Sequence, residues 1–180
     1  MRLPTPLPVA VESAAAQVGF SSADFRGAVG GFATGVTVIT SGSGDHVFGM
    51  TANAFSSLSL DPPLVLICVI SGTMGAETIE KNRAFAVNIL GAEQEAISRY
   101  FSWKDRPRGA AAFREIPHDT FVTGCPVLEG VAAFLDCRLA DAHDAGDHVV
   151  FIGEVMALGA NPDVEPLVFH GGAYCKAVKV

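Results

Sequence analysis

The chain has 180 residues, 49% of them hydrophobic and 17% charged, with a formal net charge of −7. That length suits one domain burying roughly 70% of its unfolded surface, and the apolar content excludes a largely disordered chain. The negative charge repels nucleic acid and anionic membranes at long range, and no apolar run reaches the ~20 residues of a membrane helix.

The opening MRLPTPLPVAVESAAAQVGF carries one Arg and three prolines and has no continuous apolar stretch. It is expected to be a flexible arm over residues 1–20 and not a signal peptide, with one domain over 21–180. Ser21 and Asp24 fit a capping box for a helix whose apolar positions are Phe25, Val29, Phe32 and Ala33. The Gly30-Gly31 pair weakens that helix but permits close backbone approach. Val36–Ser41 reads as a strand, Gly42–Asp45 as a turn and 46–53 as the returning strand of a hairpin. Leu64–Ile70 has the length and β-branched content of a strand buried on both faces.

A short helix is expected over Met74–Asn82, then a strand over Phe85–Leu90 and a second helix from Ala92 to Phe101. Residues 102–119 are basic and turn-rich, and read as an irregular excursion. Two long extended runs follow around the turn Asp144–Asp147. The segment PLVFHGGAYCKAV closes the chain with a strand and a glycine pair. Hairpins with a few inserted helices predict a mainly β fold, an antiparallel barrel in preference to a βαβ arrangement. The four cysteines show no CxxC spacing and are expected to be reduced thiols of a cytoplasmic protein.

Several chemistries have no support. There is no GxGxxG, GxxxxGK[ST] or GxSxG motif. DAHDAGDH (Asp141–His148) gathers three carboxylates and two histidines, but its spacing suits a solvated turn better than a metal site, and no metal is expected. His148 begins the strand after that turn, facing either a barrel mouth or solvent. In GMTANAFSSLSLDPPLVLICV, Thr51 and Asn53 are two apart and so are expected to share one face of a strand, with Ser57 and Ser59 able to do likewise on the next. These groups either satisfy turns or line a pocket for a polar, planar ligand. Thr73 and the N–H groups opening the next helix suit a phosphate.

The segments FRGAVGGFATGVTVIT, GMTANAFSSLSLDPPLVLICV, FAVNIL and GDHVVFIGEV occur in this order. Together they resemble the short-chain flavin reductase family, whose members partner two-component flavin monooxygenases. The resemblance spans about Phe25 to Ala177. It implies an FMN-binding split β-barrel, a homodimer, FMN or FAD as cofactor and NADH or NADPH as co-substrate. It places Thr34, Thr51, Ala52 and Asn53 near the flavin, with Ser56 and Ser57 along its ribityl and phosphate end. Cys68, Val69, Ser71 and Thr73 are implied for the phosphate-side wall, Phe169 and Tyr174 for the ring edge, and His148 as the catalytic residue beside the nicotinamide.

Two positions depart from the family pattern. VISGTMGAET has no basic residue before the phosphate-side helix, and Gly31 replaces one that often precedes FATG. Lys81, Arg83 or the segment Lys104–Arg108 then compensates, or N–H groups and hydroxyls hold the phosphate alone. The expected activity is hydride transfer from nicotinamide to FMN or FAD, supplying a separate monooxygenase. The alternatives are a flavin-storage protein or a flavin-retaining oxidase of the same fold.

Overall fold

The computed structural model describes residues 19–178, so the expected N-terminal arm lies outside the described residues except for Gly19 and Phe20. Chain order is α1 (Ser22–Val29), β1 (Thr34–Gly35), β2 (Thr37–Ser41), β3 (Phe48–Ala52), β4 (Phe55–Leu60) and β5 (Pro63–Ile70). Then come α2 (Met74–Asn82), β6 (Ala84–Ile89), α3 (Glu95–Ser102), β7 (His118–Thr120) and β8 (Pro126–Leu128). The chain finishes with β9 (Ala133–Ala145), β10 (His148–Ala160), β11 (Leu167–His170) and β12 (Ala173–Lys176).

Seven strands form one antiparallel sheet in the order β3-β2-β6-β9-β10-β5-β4. Its edge strands, β3 and β4, are consecutive in sequence and joined only by Asn53 and Ala54. The sheet therefore curls toward closure but stays open along the seam between them, giving a split barrel. A small sheet β1-β11-β12 and the ribbon β7-β8 flank it.

Alternation along the strands feeds two large cores and a small cluster of Ala84, Ala86, Cys125 and Val127. Ile39, Ile67, Phe85, Val87 and Phe151 pack inside the barrel with Ala76 and Ile79 of α2. Val36, Val38, Leu90, Phe101 and Phe113 pack on the other side of β2. Both faces of β2 are covered, which explains five consecutive buried residues in a short strand.

Several sequence expectations need correction. The capping box at Ser21 and Asp24 is present, but α1 stops at Val29, capped by Gly30, so Phe32 and Ala33 lie beyond it. No residue of α1 is buried within the chain. The hairpin return begins at Phe48, because Gly44–His46 form a 3-10 turn. Strand β5 is not buried on both faces: Val65, Ile67 and Val69 are buried, while Leu64, Leu66 and Cys68 are half-buried and Ile70 is exposed. It lies beside an edge strand and only its inner face meets the core. The 102–119 excursion contains a 3-10 turn at Gly109–Phe113 and the start of β7.

All four cysteines are free thiols. Burial, reinforced by the Asp136 charge, pushes the Cys137 thiol up to about 12, and burial also raises Cys125. Above the ordinary thiol value of 9.0 the unfolded chain releases protons that the folded chain keeps. Stability is therefore expected to fall as pH rises from about 9 toward 12, read by thermal melts across that range. Alkylation of the native chain should reach Cys68 and Cys175, which are half-buried, before the buried pair. Labelling of Cys137 at the same rate would contradict this.

Candidate functional site

The seam of the barrel opens into a cleft of about 710 Å³, within the usual range for small-molecule sites. One wall is β3, from Phe48 to Thr51. The other is the end of β5, Val69 and Ile70, with the turn through Gly72 and Thr73 into α2. Phe101 of α3 and the 102–112 segment close the third side. The lining is apolar through Phe48, Met50, Ile70, Met74 and Phe101. It carries three cations, Lys104, Arg106 and Arg108, against one carboxylate, Glu77.

Arg106 fixes this geometry. Its guanidinium donates to the Trp103 carbonyl at 2.7 Å and to the Gly49 carbonyl on β3. It lies 5.7 Å from the Phe48 ring centre and 5.9 Å from that of Phe101. Burial lowers its ordinarily very high pKa, and nearby Arg108 pushes in the same direction while Tyr100 opposes. Two neighbouring cations in a partly desolvated wall favour an anionic ligand. Gly49 makes the approach possible, since a Cβ there would come within 2.6 Å of the Phe101 ring.

A polar relay runs beside the cleft. Thr51 Oγ1 donates to the Ser98 carbonyl at 2.6 Å, and Ser98 Oγ lies 2.8 Å from the Tyr174 hydroxyl. The Arg99 guanidinium lies 4.9 Å from the Tyr174 ring centre, and Phe169 meets Tyr174 edge-on at 5.4 Å. Thr34 pairs with Phe169 across β1 and β11. Among the described residues, Thr34 Oγ1 is the one buried side-chain oxygen or nitrogen without a hydrogen-bond partner. An orphaned hydroxyl invites a ligand with polar edges.

The structure thus joins Thr51 and Tyr174 to Ser98 of α3, sets Phe169 against Tyr174 with Thr34 opposite Phe169, and lines the cleft with Thr51, Val69 and Thr73. Other candidates lie elsewhere. Strand β3 ends at Ala52, so Asn53 does not share a strand face with Thr51; it sits exposed in the connector. A bulge between Ser57 and Ser59 sets Ser57 opposite Val65 and Ser59 opposite Leu64, so these serines do not share a face either. Ser56 Oγ donates locally to the Ser57 carbonyl. Thr73 caps α2, donating to the Ile70 carbonyl at 2.7 Å and accepting from Ala76 N–H. Cys68 alternates with cleft-lining Val69 and pairs with Val150, while Ser71 is exposed and its N–H donates to the Asp147 carbonyl.

His148 is half-buried opposite Ile70, which lines the cleft. Its Nδ1 lies 2.7 Å from Asp147 Oδ1, and this hydrogen bond, then the imidazole charge, holds the Asp147 carboxyl below its ordinary value. An ionised carboxylate only accepts, so Nδ1 is the donor in this bond, and Nε2 has no hydrogen-bond partner among the described residues. His143 pairs instead with Asp141 at 3.2 Å, and no three metal-binding side chains converge among the described residues. No helix among them is long and apolar enough to cross a membrane.

Ser98, Arg99, Phe48 and Met50 escaped the sequence reading. The three-residue spacing of Ser98 and Phe101 on α3 was the available signal, since it puts both on the buried face.

An antiparallel split barrel with a partly apolar, cation-walled cleft on its seam defines a class by shape and charge: binders of anionic ligands with an apolar body. Residues 29–177 match the family described as "Flavin reductase like domain", and the chain belongs to that family. It is 40% identical over 156 residues to the NADH-dependent FMN reductase SmoA of Agrobacterium fabrum, covering 87% of this chain and 86% of the relative. It is 38% identical over 152 residues to HsaB, the reductase subunit of a flavin-dependent monooxygenase of Mycobacterium tuberculosis, covering 83% and 79%. The structure of the Streptomyces globisporus NADH:FAD oxidoreductase SgcE6 superimposes with a TM-score of 0.83 at 34% identity, covering 97% of this chain and 100% of that one.

Proposed function

We propose that this chain is an NADH-dependent flavin reductase that transfers hydride to FMN or FAD and supplies the reduced flavin to a separate monooxygenase. The observation that carries the reading is the seam cleft, with its apolar floor and cationic wall, in a chain whose relatives are named for this activity. SgcE6 has also been solved with NAD and FAD fragments. The flavin fits the residues present: Phe48, Met50 and Phe101 give the cleft an apolar surface for a ring system, and Lys104, Arg106 and Arg108 offer charge for a phosphate. The cations supplied by the excursion answer the absence of a basic residue before α2.

When bound, the flavin supplies the redox chemistry by accepting hydride from the nicotinamide. The protein's task is binding and orientation. Thr51 spends its proton on Ser98, so its oxygen can only accept from a ligand. Phe48, Met50 and Phe101 exclude water from the cleft floor. His148 is the proposed catalytic residue, with Asp147 orienting its ring so that Nε2 is presented. Ala52, Asn53, Ser56, Ser57, Cys68 and Ser71 complete the proposed flavin contacts from the connector, β4 and the β5 end.

We read residues 21–180 as the reductase domain of a cytoplasmic homodimer. Phe32 of the α1 connection is 75% exposed and Leu60 of edge strand β4 is 94% exposed, apolar surface that a second copy would cover.

Anaerobic mixing with each of FMN and FAD against NADH and NADPH tests the activity. Catalytic bleaching of flavin in excess over protein is expected with NADH, and no bleaching with any pair would sink the reading. His148→Ala is expected to lower kcat/KM for NADH by about tenfold or more, some 1.4 kcal/mol of transition-state stabilisation, with less effect on flavin affinity. Equal loss of both would make His148 a binding residue only.

A further inference from the structure

Two of the chain's four methionines, Met50 and Met74, line the seam cleft. Met50 comes from β3 and is half-buried, whereas Met74 opens α2 and is 43% exposed. Met156 is also half-buried, but it sits at the β10 bulge between Val155 and Ala157 and lines no part of the cleft. Met1 lies outside the described residues. A thioether is soft, polarisable and open to two-electron oxidants, so its place beside a redox ligand has chemical consequences.

The Met50 seat is tight. A Cβ on Gly75 would come within 3.2 Å of Met50 Sδ and 2.8 Å of the Phe48 ring, so the bare glycine lets α2 close on β3. Phe48 and Met50 are two apart on β3 and present one face to that turn. Met50 also packs against the barrel core. An oxygen added to its sulfur therefore has two places to go. Directed at Gly75 it pushes α2 away from β3; directed at the cleft it sets a strong acceptor into the apolar floor. Met74 is more exposed and is not held in such a seat.

We propose that Met50 and Met74 are sulfoxidation sites for hydrogen peroxide, and that oxidation of Met50 lowers flavin affinity and so slows a reductase whose product is being lost to oxygen. This rests on the flavin reductase reading, because reduced flavin is the source of the peroxide. Dioxygen takes two electrons and two protons from reduced flavin, leaving oxidised flavin and hydrogen peroxide. The thioether sulfur then attacks one peroxide oxygen: the O–O bond breaks, an S–O bond forms, and the other oxygen leaves as water. Sulfur loses the two electrons that the peroxide gains. Met74 reacts first because it is the more exposed, and Met50 reacts more slowly with the larger effect.

The test treats the full chain with graded hydrogen peroxide, maps sulfoxides by peptide mass spectrometry and titrates FMN before and after. Met74 is expected to oxidise first and Met50 next, both at least about threefold faster than Met156. FMN affinity is expected to fall about tenfold as the Met50 sulfoxide accumulates. Met50→Leu, similar in volume but without sulfur, should keep its own starting affinity within about twofold after the same treatment. Met74→Leu should lose affinity as wild type does. In a second arm, turnover with NADH and FMN in air should give the same two sulfoxides, and catalase or anaerobic conditions should prevent them. Met156 oxidising as fast as Met50, a Met50 sulfoxide that leaves FMN affinity unchanged, or aerobic turnover that oxidises neither residue would overturn the proposal. Failure of the underlying reading is distinguishable: wild type would then bind and reduce no flavin before any peroxide is added, while the peroxide arm still reports the order of oxidation.

Discussion

Arg106→Ala is expected to destabilise the chain by about 2–3 kcal/mol and to weaken flavin binding about tenfold. Arg106 belongs neither to β3 nor to α3, yet it joins them. It donates across 57 residues to the Gly49 carbonyl on β3 and back to Trp103 at the end of α3, lying over Phe48 and Phe101. Charged hydrogen bonds contribute about 1.5–3 kcal/mol each, discounted here because the side chain is only half-buried. Alanine leaves the Gly49 carbonyl to water and removes the clasp that holds the excursion over the cleft. Arg106→Lys keeps the charge but cannot reach two carbonyls with one planar fork while covering both rings, so it should recover affinity only in part. Thermal melts and flavin titrations on both variants separate the two roles. A stable Arg106→Ala protein with unchanged flavin affinity would show the clasp to be ornamental and the cationic wall to rest on Lys104 and Arg108.

The clasp also shows why the site was only half legible in the sequence. Local signals placed the elements well: α2 spans Met74–Asn82 as its spacing requires, and β9 and β10 turn at Gly146 between carboxylates. Hairpins between consecutive strands follow from turn residues and alternation, both short-range properties. The cleft obeys no such rule, because its walls come from β3, α2 and a segment some fifty residues further on. Nothing in the local pattern around Thr51 points to the Ser98 carbonyl, 47 positions away, as its partner. The bulge at Ser57–Ser59 was equally hidden. One extra residue reverses which side chains face inward, and alternation in FSSLSL reads the same on either register. The polar run from Thr51 to Ser59 therefore has several different fates: a relay to α3, an exposed connector and an edge strand.

Asn88→Ala is expected to cost about 3 kcal/mol, lowering the melting temperature by roughly 10 °C for a chain of this size. Asn88 is fully buried on β6. Its Nδ2 donates to the Val38 carbonyl at 3.0 Å and reaches Thr40 Oγ1 at 3.4 Å, while its Oδ1 accepts from Leu128 N–H at 2.7 Å. Thr40 in turn donates to the Pro126 carbonyl. These bonds tie β8 to the centre of the barrel, and β8 anchors the ribbon into which the cleft-walling excursion runs. Alanine strands the Leu128 N–H without an acceptor and leaves an amide-sized void. Asn88→Asp keeps that acceptor but buries a charge and loses both donated bonds. Its carboxyl would ionise less readily folded than unfolded, so its stability should be greatest in acid and fall as pH rises through the ordinary carboxylate range. Thermal melts of the two variants from about pH 4 to pH 8 check both statements, since alanine should show no such added slope. A melting temperature within about 2 °C of wild type for Asn88→Ala would mean that β8 is held by its apolar contacts alone. Flavin affinity measured well below the melt should then be unchanged, whereas the network described here predicts that it falls with the stability of the wall.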